Sequence, residues 1–176
     1  MPVEPIHIEH VFPVRSRPDI LFRLVIDPKR RIKWDKNLKD FSFSGEEKIQ
    51  NGIPFKMRLP FRFGLIRIDG KFNHIQAPTK ATLESTHVSG LISNITQQWQ
   101  FKSVPGGTEV RAILTVTPRY AWGRRLIDRL TQAFFAECII GLQRQVDTQA
   151  ASKLEQAAQE MAKQQRQAKR ERGGKK

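Results

Sequence analysis

The side chains with the widest catalytic repertoire in this sequence are four histidines, His7, His10, His74 and His87, and one cysteine, Cys138. An imidazole titrates near neutral pH and serves as a general acid or base. His74 shares the parity of Ile68 and Phe72 in an alternating run, and His87 that of Leu83 and Ser85. Both are therefore expected on inward strand faces, where they would orient a polar ligand group or, in an enzyme, move a proton. A satisfied or strand-end histidine is the plainer reading of each. Cys138 lies between Glu137 and Ile139 in an apolar helical stretch and reads as buried packing rather than as a nucleophile. The spacing supports no metal site, because neither H-x-x-x-H nor C-x-x-C occurs. No loop is built to cradle phosphate, Gly106-Gly107 reads as a hairpin turn, and no Ser/His/Asp arrangement can be argued. No cofactor is implied. A lone cysteine cannot form an intrachain disulfide, which suits a reducing compartment.

Charge supplies the other chemistry. The 176 residues carry 31 basic and 17 acidic side chains, a formal net charge of +14. Such an excess favours anionic partners and says nothing of fold. The run from Phe55 to Ile68, FKMRLPFRFGLIRI, alternates aromatic or aliphatic residues with cations. Arg58, Phe61, Arg62, Phe63 and Arg67 there form a candidate contact with an anionic membrane, since apolar wedges flanked by arginines suit a charged bilayer surface. The other reading is an amphipathic hairpin whose phenylalanines fold inward. Lys29 to Lys39 is a second basic stretch, and Arg119, Arg124, Arg125 and Arg129 form a third. These are solvated surface in the plain reading and phosphate contacts, from lipid or RNA, in the sharper one.

These residues must be held by elements that the pattern indicates. Ile6 to Val14 alternates as a half-buried strand does. Ser16-Arg17-Pro18-Asp19 opens a helix with Ser16 as its N-cap, Asp27-Pro28 ends it, and a second short helix spans Lys29 to Trp34. From Leu38 to Pro118 the period is that of strands, punctuated by Asn51-Gly52, Ala77-Pro78, Ser89-Gly90 and Pro105-Gly106-Gly107. After Pro118 the period becomes helical, with Trp122, Leu126, Ile127, Leu130, Phe134, Cys138, Leu142 and Val146 as one stripe. From Ala150 the chain is rich in Gln, Lys and Ala. It reads first as a solvated or disordered tail, with Lys169 to Lys176 disordered, and second as a weak coiled coil or partner-binding helix. Met1 to His10 does not read as a signal peptide, and no apolar run approaches the ~18 residues of a membrane span.

The order strand, two short helices, six strands, long helix resembles the START/Bet v 1 superfamily (SRPBCC), which includes polyketide cyclases, lipid-transfer proteins and coenzyme Q-binding proteins. Ser16-Arg17-Pro18-Asp19-Ile20-Leu21-Phe22, Asp27-Pro28 with Trp34, Gly45, Trp99-Gln100-Phe101 and Gly106-Gly107-Thr108-Glu109-Val110 carry the resemblance, which covers residues 6 to 146. It implies an α+β helix-grip fold: a curved antiparallel sheet of about seven strands around a long C-terminal helix, with two short helices after the first strand. Residues 1–148 would form the ligand-binding domain and 149–176 a basic tail.

A bent sheet cannot lie flat on one helix, so side chains or a ligand must fill its concave face. Small inward residues (Gly70, Ser85, Ala112) beside large ones (Phe72, Trp99, Phe101) leave room for a ligand, unless the aromatics close it. The expected lining is Phe55, Met57, Phe72, His74, Trp99, Leu114, Leu130 and Phe134. The leading expectation is a non-catalytic binder or carrier of a lipid, polyprenyl quinone or aromatic polyketide-like ligand, cytoplasmic and in peripheral contact with an anionic membrane. The alternative is an enzyme of the polyketide cyclase or dehydratase type, with His74 or His87 as base. A third reading is contact with ribosome, RNA or an acidic protein through the basic surface.

Overall fold

The computed structural model describes residues 3–45, 48–60, 62 and 64–173, and the side chains of all of these except 150–159 and 161–173. Seven strands, β1 (Ile6–Val14), β2 (Asp40–Phe43), β3 (Pro54–Arg58), β4 (Arg67–Gln76), β5 (Lys80–Val88), β6 (Ile92–Val104) and β7 (Gly107–Pro118), form one curved sheet. Its order is β1-β7-β6-β5-β4-β3-β2, and every neighbouring pair is antiparallel. Helices α1 (Pro18–Ile26) and α2 (Pro28–Trp34) connect β1 to β2, and α3 (Arg124–Gly173) follows β7 through a 3-10 turn at Ala121–Gly123.

Local chemistry sets the boundaries. Helix α1 starts with Pro18 in its first turn, where a missing N–H costs nothing. Its N-cap is Arg17 rather than Ser16, and Arg17 makes no side-chain cap but pairs with Asp19 at 3.0 Å. Asp27 closes α1 in an extended conformation and then caps α2, its carboxylate accepting the Lys29 N–H at 3.0 Å. In β7, Val110, Ala112, Leu114 and Val116 are buried at every second residue, and β1 answers with Ile6, Ile8, Phe12 and Val14.

The buried face of α3 runs Ile127, Thr131, Phe135, Cys138, Leu142 and Val146. The expected stripe is thus rotated over its first turns. Trp122 precedes the helix, is 75% exposed, and stacks on Tyr120. The helix continues as backbone to Gly173, and the last three residues lie outside the described ones. Among the described residues no helix is long and apolar enough to cross a membrane.

Aromatic rings fill two regions of the concave face. Phe72 has no exposure and packs against Phe41, Phe43 and Phe55, while Trp99 packs against Phe101 and Phe135. Two of the small residues expected to leave room are used up here. Ala112 lies opposite Trp99 in the β6–β7 register, and the space above Gly70 is taken by the Phe55 ring. A Cβ on Gly70 would meet the Glu84 carbonyl oxygen and lie 2.5 Å from Phe55 Cζ. Gly70→Ala is therefore expected to destabilise the protein by about 1–3 kcal/mol, as overpacking does, read as a lowered urea midpoint. An unchanged midpoint would show that the ring moves aside freely.

Candidate functional site

The remaining part of the concave face is a cavity of about 310 Å3 between the sheet and the first turns of α3. Phe55 and Met57 of β3, Ile68 of β4, Leu83 and Ser85 of β5, Ile92, Ile95 and Gln97 of β6, and Leu114 and Val116 of β7 line its sheet side. Leu126, Ile127, Leu130, Thr131 and Phe134 line its helix side. Leu59, Gly64 and Ile66, between β3 and β4, and Gly90 and Leu91, between β5 and β6, complete the wall. Leu126 is 52% and Leu130 36% exposed, so the cavity reaches solvent at the start of α3.

The sheet opens here for local reasons. Ladder pairing of β5 with β6 ends at Glu84 and Thr96. Beyond that pair the strands part, and the Ser85 hydroxyl oxygen accepts the Ile95 N–H at 2.8 Å in place of a backbone carbonyl. Arg119 spans the parted ends, donating to the Val88 and Ile92 carbonyls at 2.9 and 3.1 Å. At the mouth, Gly64 takes a φ of 80°, which costs a glycine little, and Leu65 follows at 51° and is exposed.

Three side chains give the lining its polarity: Ser85, Gln97 and Thr131. Among the described residues no ionisable side chain lines the cavity. Thr131 donates its hydroxyl hydrogen to the Ile127 carbonyl at 2.6 Å. Gln97 is 5% exposed, and its Oε1 accepts from Arg31 Nη1 at 2.9 Å. Arg31 has no exposure at all. Its Nε donates to Asp35 Oδ2 at 3.1 Å, its Nη2 points at Cys138 Sγ, and its guanidinium lies 5.7–6.0 Å from the ring centres of Trp99, Phe41 and Trp34. The Cys138 thiol donates to Asp35 Oδ2 at 3.4 Å. Burial pushes that thiol well above its ordinary pKa, and the Asp35 carboxylate adds to the effect, so it stays protonated.

The sequence matches no protein-family model, and no curated protein matches it. Solved structures do. An aromatase/cyclase (Zhui) from a Streptomyces species superposes with a TM-score of 0.72 at 9% identity, over 84% of this chain and 96% of that one. A START superfamily protein from Mycobacterium smegmatis gives a TM-score of 0.70 at 9% identity, over 81% of this chain and 97% of its own. The chain has the START/Bet v 1-like helix-grip fold. The ginseng major latex-like protein 151 from Panax ginseng shares it, with a TM-score of 0.64 at 9% identity over 81% of this chain and 97% of that one. Identities this low establish the START/Bet v 1-like fold and leave the chemistry to the site.

Of the residues expected to line the site, Phe55, Met57, Leu114, Leu130 and Phe134 surround the cavity. Phe72 and Trp99 do not, because neighbouring rings enclose them. His74 and His87 are exposed and outside the lining, which corrects their inward placement. Each lies at or just past an irregularity. In β4 the pairing jumps between Asn73 and Gln76, and His74 takes a φ of 50°. In β5, Asp69 pairs with His87 but Gly70 with Ser85, so Thr86 is an extra residue and Val88 points inward instead. Of the candidate membrane contacts, Arg58 and Arg67 are exposed. Arg62 pairs with Glu137 on α3 at 2.9 Å and donates to Asn37 Oδ1 between α2 and β2. Phe61 and Phe63 lie outside the described residues. Gln97 lies two positions before Trp99 on the same strand face, and that shared parity is the one sequence signal of its inward placement.

A buried ion that loses its partner is costly. Arg31→Ala should lower stability by about 3–5 kcal/mol, read from urea unfolding. Arg31→Met combined with Asp35→Leu should recover most of that loss. Equal destabilisation in both variants would show that packing, rather than the pairing of charge, is what Arg31 supplies.

Proposed function

We propose that this chain binds and carries a hydrophobic small molecule, lipid-like or aromatic, in the cavity between the sheet and α3, without transforming it. One observation carries the reading. A cavity of about 310 Å3 is walled by aliphatic and aromatic side chains, is reachable past Leu126 and Leu130, and among the described residues has only Ser85, Gln97 and Thr131 as polar lining. That is the composition of a site selecting apolar shape and fixing it with a few polar groups. Every lining residue and every buried core residue among those whose side chains are described lies within residues 6–146, which supports residues 1–148 as the binding unit. The buried, protonated thiol of Cys138 fits a cytoplasmic setting.

The likeness to an aromatase/cyclase keeps a second reading in view, since that protein is an enzyme on the same fold. A cyclisation needs a group that moves protons at the reacting carbon. The two histidines expected as bases, His74 and His87, are exposed and outside the lining, which favours carriage over chemistry. The mouth also supports loading from an anionic bilayer surface. Leu65, between the lining residues Gly64 and Ile66, is exposed, as are Tyr120 and Trp122 just before α3, and Arg67, Arg124 and Arg125 are close to them in the chain.

Native mass spectrometry after incubation with lipid vesicles should show a lipid-sized adduct on the wild-type protein. Repeated absence of any adduct would count heavily against carriage. Leu130→Asp places a charge on the cavity wall at a partly exposed helix position. It should weaken binding of the neutral probe N-phenyl-1-naphthylamine by about tenfold or more while changing the melting temperature little. Probe affinity equal to that of the wild type would place the binding elsewhere.

A further inference from the structure

The amide of Gln97 has one orientation open to it. An arginine offers five donors and no acceptor, and Arg31 Nη1 is 2.9 Å from the Gln97 carbonyl oxygen. The oxygen must face Arg31, so the NH2 is the end turned to the cavity that Gln97 lines. Arg31 is itself fixed by Asp35 and by rings on three elements, α2, β2 and β6, so the amide is held rather than merely resting there. The guanidinium behind it also polarises the amide and strengthens its N–H groups as donors.

The other two polar groups of the lining are hydroxyls. The Ser85 oxygen accepts the Ile95 N–H, which leaves its hydroxyl hydrogen for the cavity. The Thr131 hydrogen is already engaged by the Ile127 carbonyl. The cavity thus offers donors at Gln97 and Ser85 on adjacent strands, while the hydroxyl oxygens of Ser85 and Thr131 keep lone pairs that can accept. No charged side chain lines it among the described residues, so an ionised ligand group would lose its hydration without a counter-ion at the wall.

We propose that Gln97 is the specificity-determining residue of the cavity, and that the preferred ligand is an electrically neutral, apolar molecule whose carbonyl oxygen accepts from the Gln97 amide. The inference rests on the reading of the cavity as a ligand site. Its test uses a matched pair of probes, 9-fluorenone and fluorene, which differ by a carbonyl in place of a methylene, with fluorene-9-carboxylate as the charged member.

The quantity read is the fluorene-to-fluorenone ratio of dissociation constants, compared between wild type and variant so that differences in water solubility cancel. Gln97→Leu should lower this ratio about threefold to tenfold, the worth of one hydrogen bond. Gln97→Glu keeps an acceptor for Arg31 but turns a carboxylate oxygen to the ketone, so at pH 8 it should lower the ratio at least as far. In the wild type, the C=O stretch of bound 9-fluorenone should fall below its value in hexane, and the carboxylate probe should bind weakest. A ratio unchanged in Gln97→Glu, a hexane-like stretch, or tighter binding of the carboxylate overturns the assignment while leaving the cavity as a binding site. If neither neutral probe binds the wild type, the cavity reading falls and this inference falls with it.

Discussion

A guanidinium shut away from water must be matched almost group by group, and Arg31 is the residue on which that requirement falls. It answers to Asp35 on its own side of the molecule, to Gln97 on the sheet and to Cys138 on the long helix, with Trp34, Phe41 and Trp99 stacked around it. A buried pair of this kind need not add net stability over a hydrophobic replacement. What it adds is definition. The helix pair, the middle of the sheet and α3 can satisfy Arg31 in one arrangement, and that arrangement leaves the aromatic fill beside it and the open cavity beyond Gln97.

The cavity follows from how the concave face is filled. The large rings gather around Phe72 and Trp99. Towards the start of α3 the sheet loses regularity. Register shifts interrupt the β4–β5 and β6–β7 ladders, and β5 and β6 part after Glu84 and Thr96. The side chains there are mainly Leu, Ile and Val, which are too short to bridge from sheet to helix. The apolar face of α3 is also wider than the sheet covers. Ile127, Phe135 and Cys138 are buried, while Leu126 and Leu130 remain at the opening. Tethers hold the wall in place around this gap: Arg119 across the strand ends, and Arg62 with Asn37 between the β3–β4 loop and the helix.

Regular elements were legible in the sequence, and irregular ones were not. β7 and the helical period after Pro118 announced themselves because nothing interrupts their repeat. The histidines were misplaced because one extra residue in a strand flips every later side chain to the other face, and neither Thr86 nor the turn of the backbone at His74 leaves a mark in the amino-acid pattern. Arg31 lies in a basic run in which Lys29, Arg30, Lys33 and Lys39 are exposed. Its one signal was Asp35 four residues on, a spacing that usually denotes a surface pair. Gly70 shows a further limit: a small residue on an inward face can mean room for a ligand or room for a neighbouring ring, and only packing tells them apart.

The central claim is that apolar molecules enter the interior beside Gln97 rather than adhere to the outer surface. Methyl-resolved NMR of the protein saturated with N-phenyl-1-naphthylamine tests it directly. The account predicts nuclear Overhauser contacts from the probe to the methyl groups of Ile68, Leu83, Leu114 and Ile127, and none to Leu21 or Val25 in the closed part of the core. Contacts confined to protons of Tyr120 and Trp122, with the interior methyls silent, would contradict it.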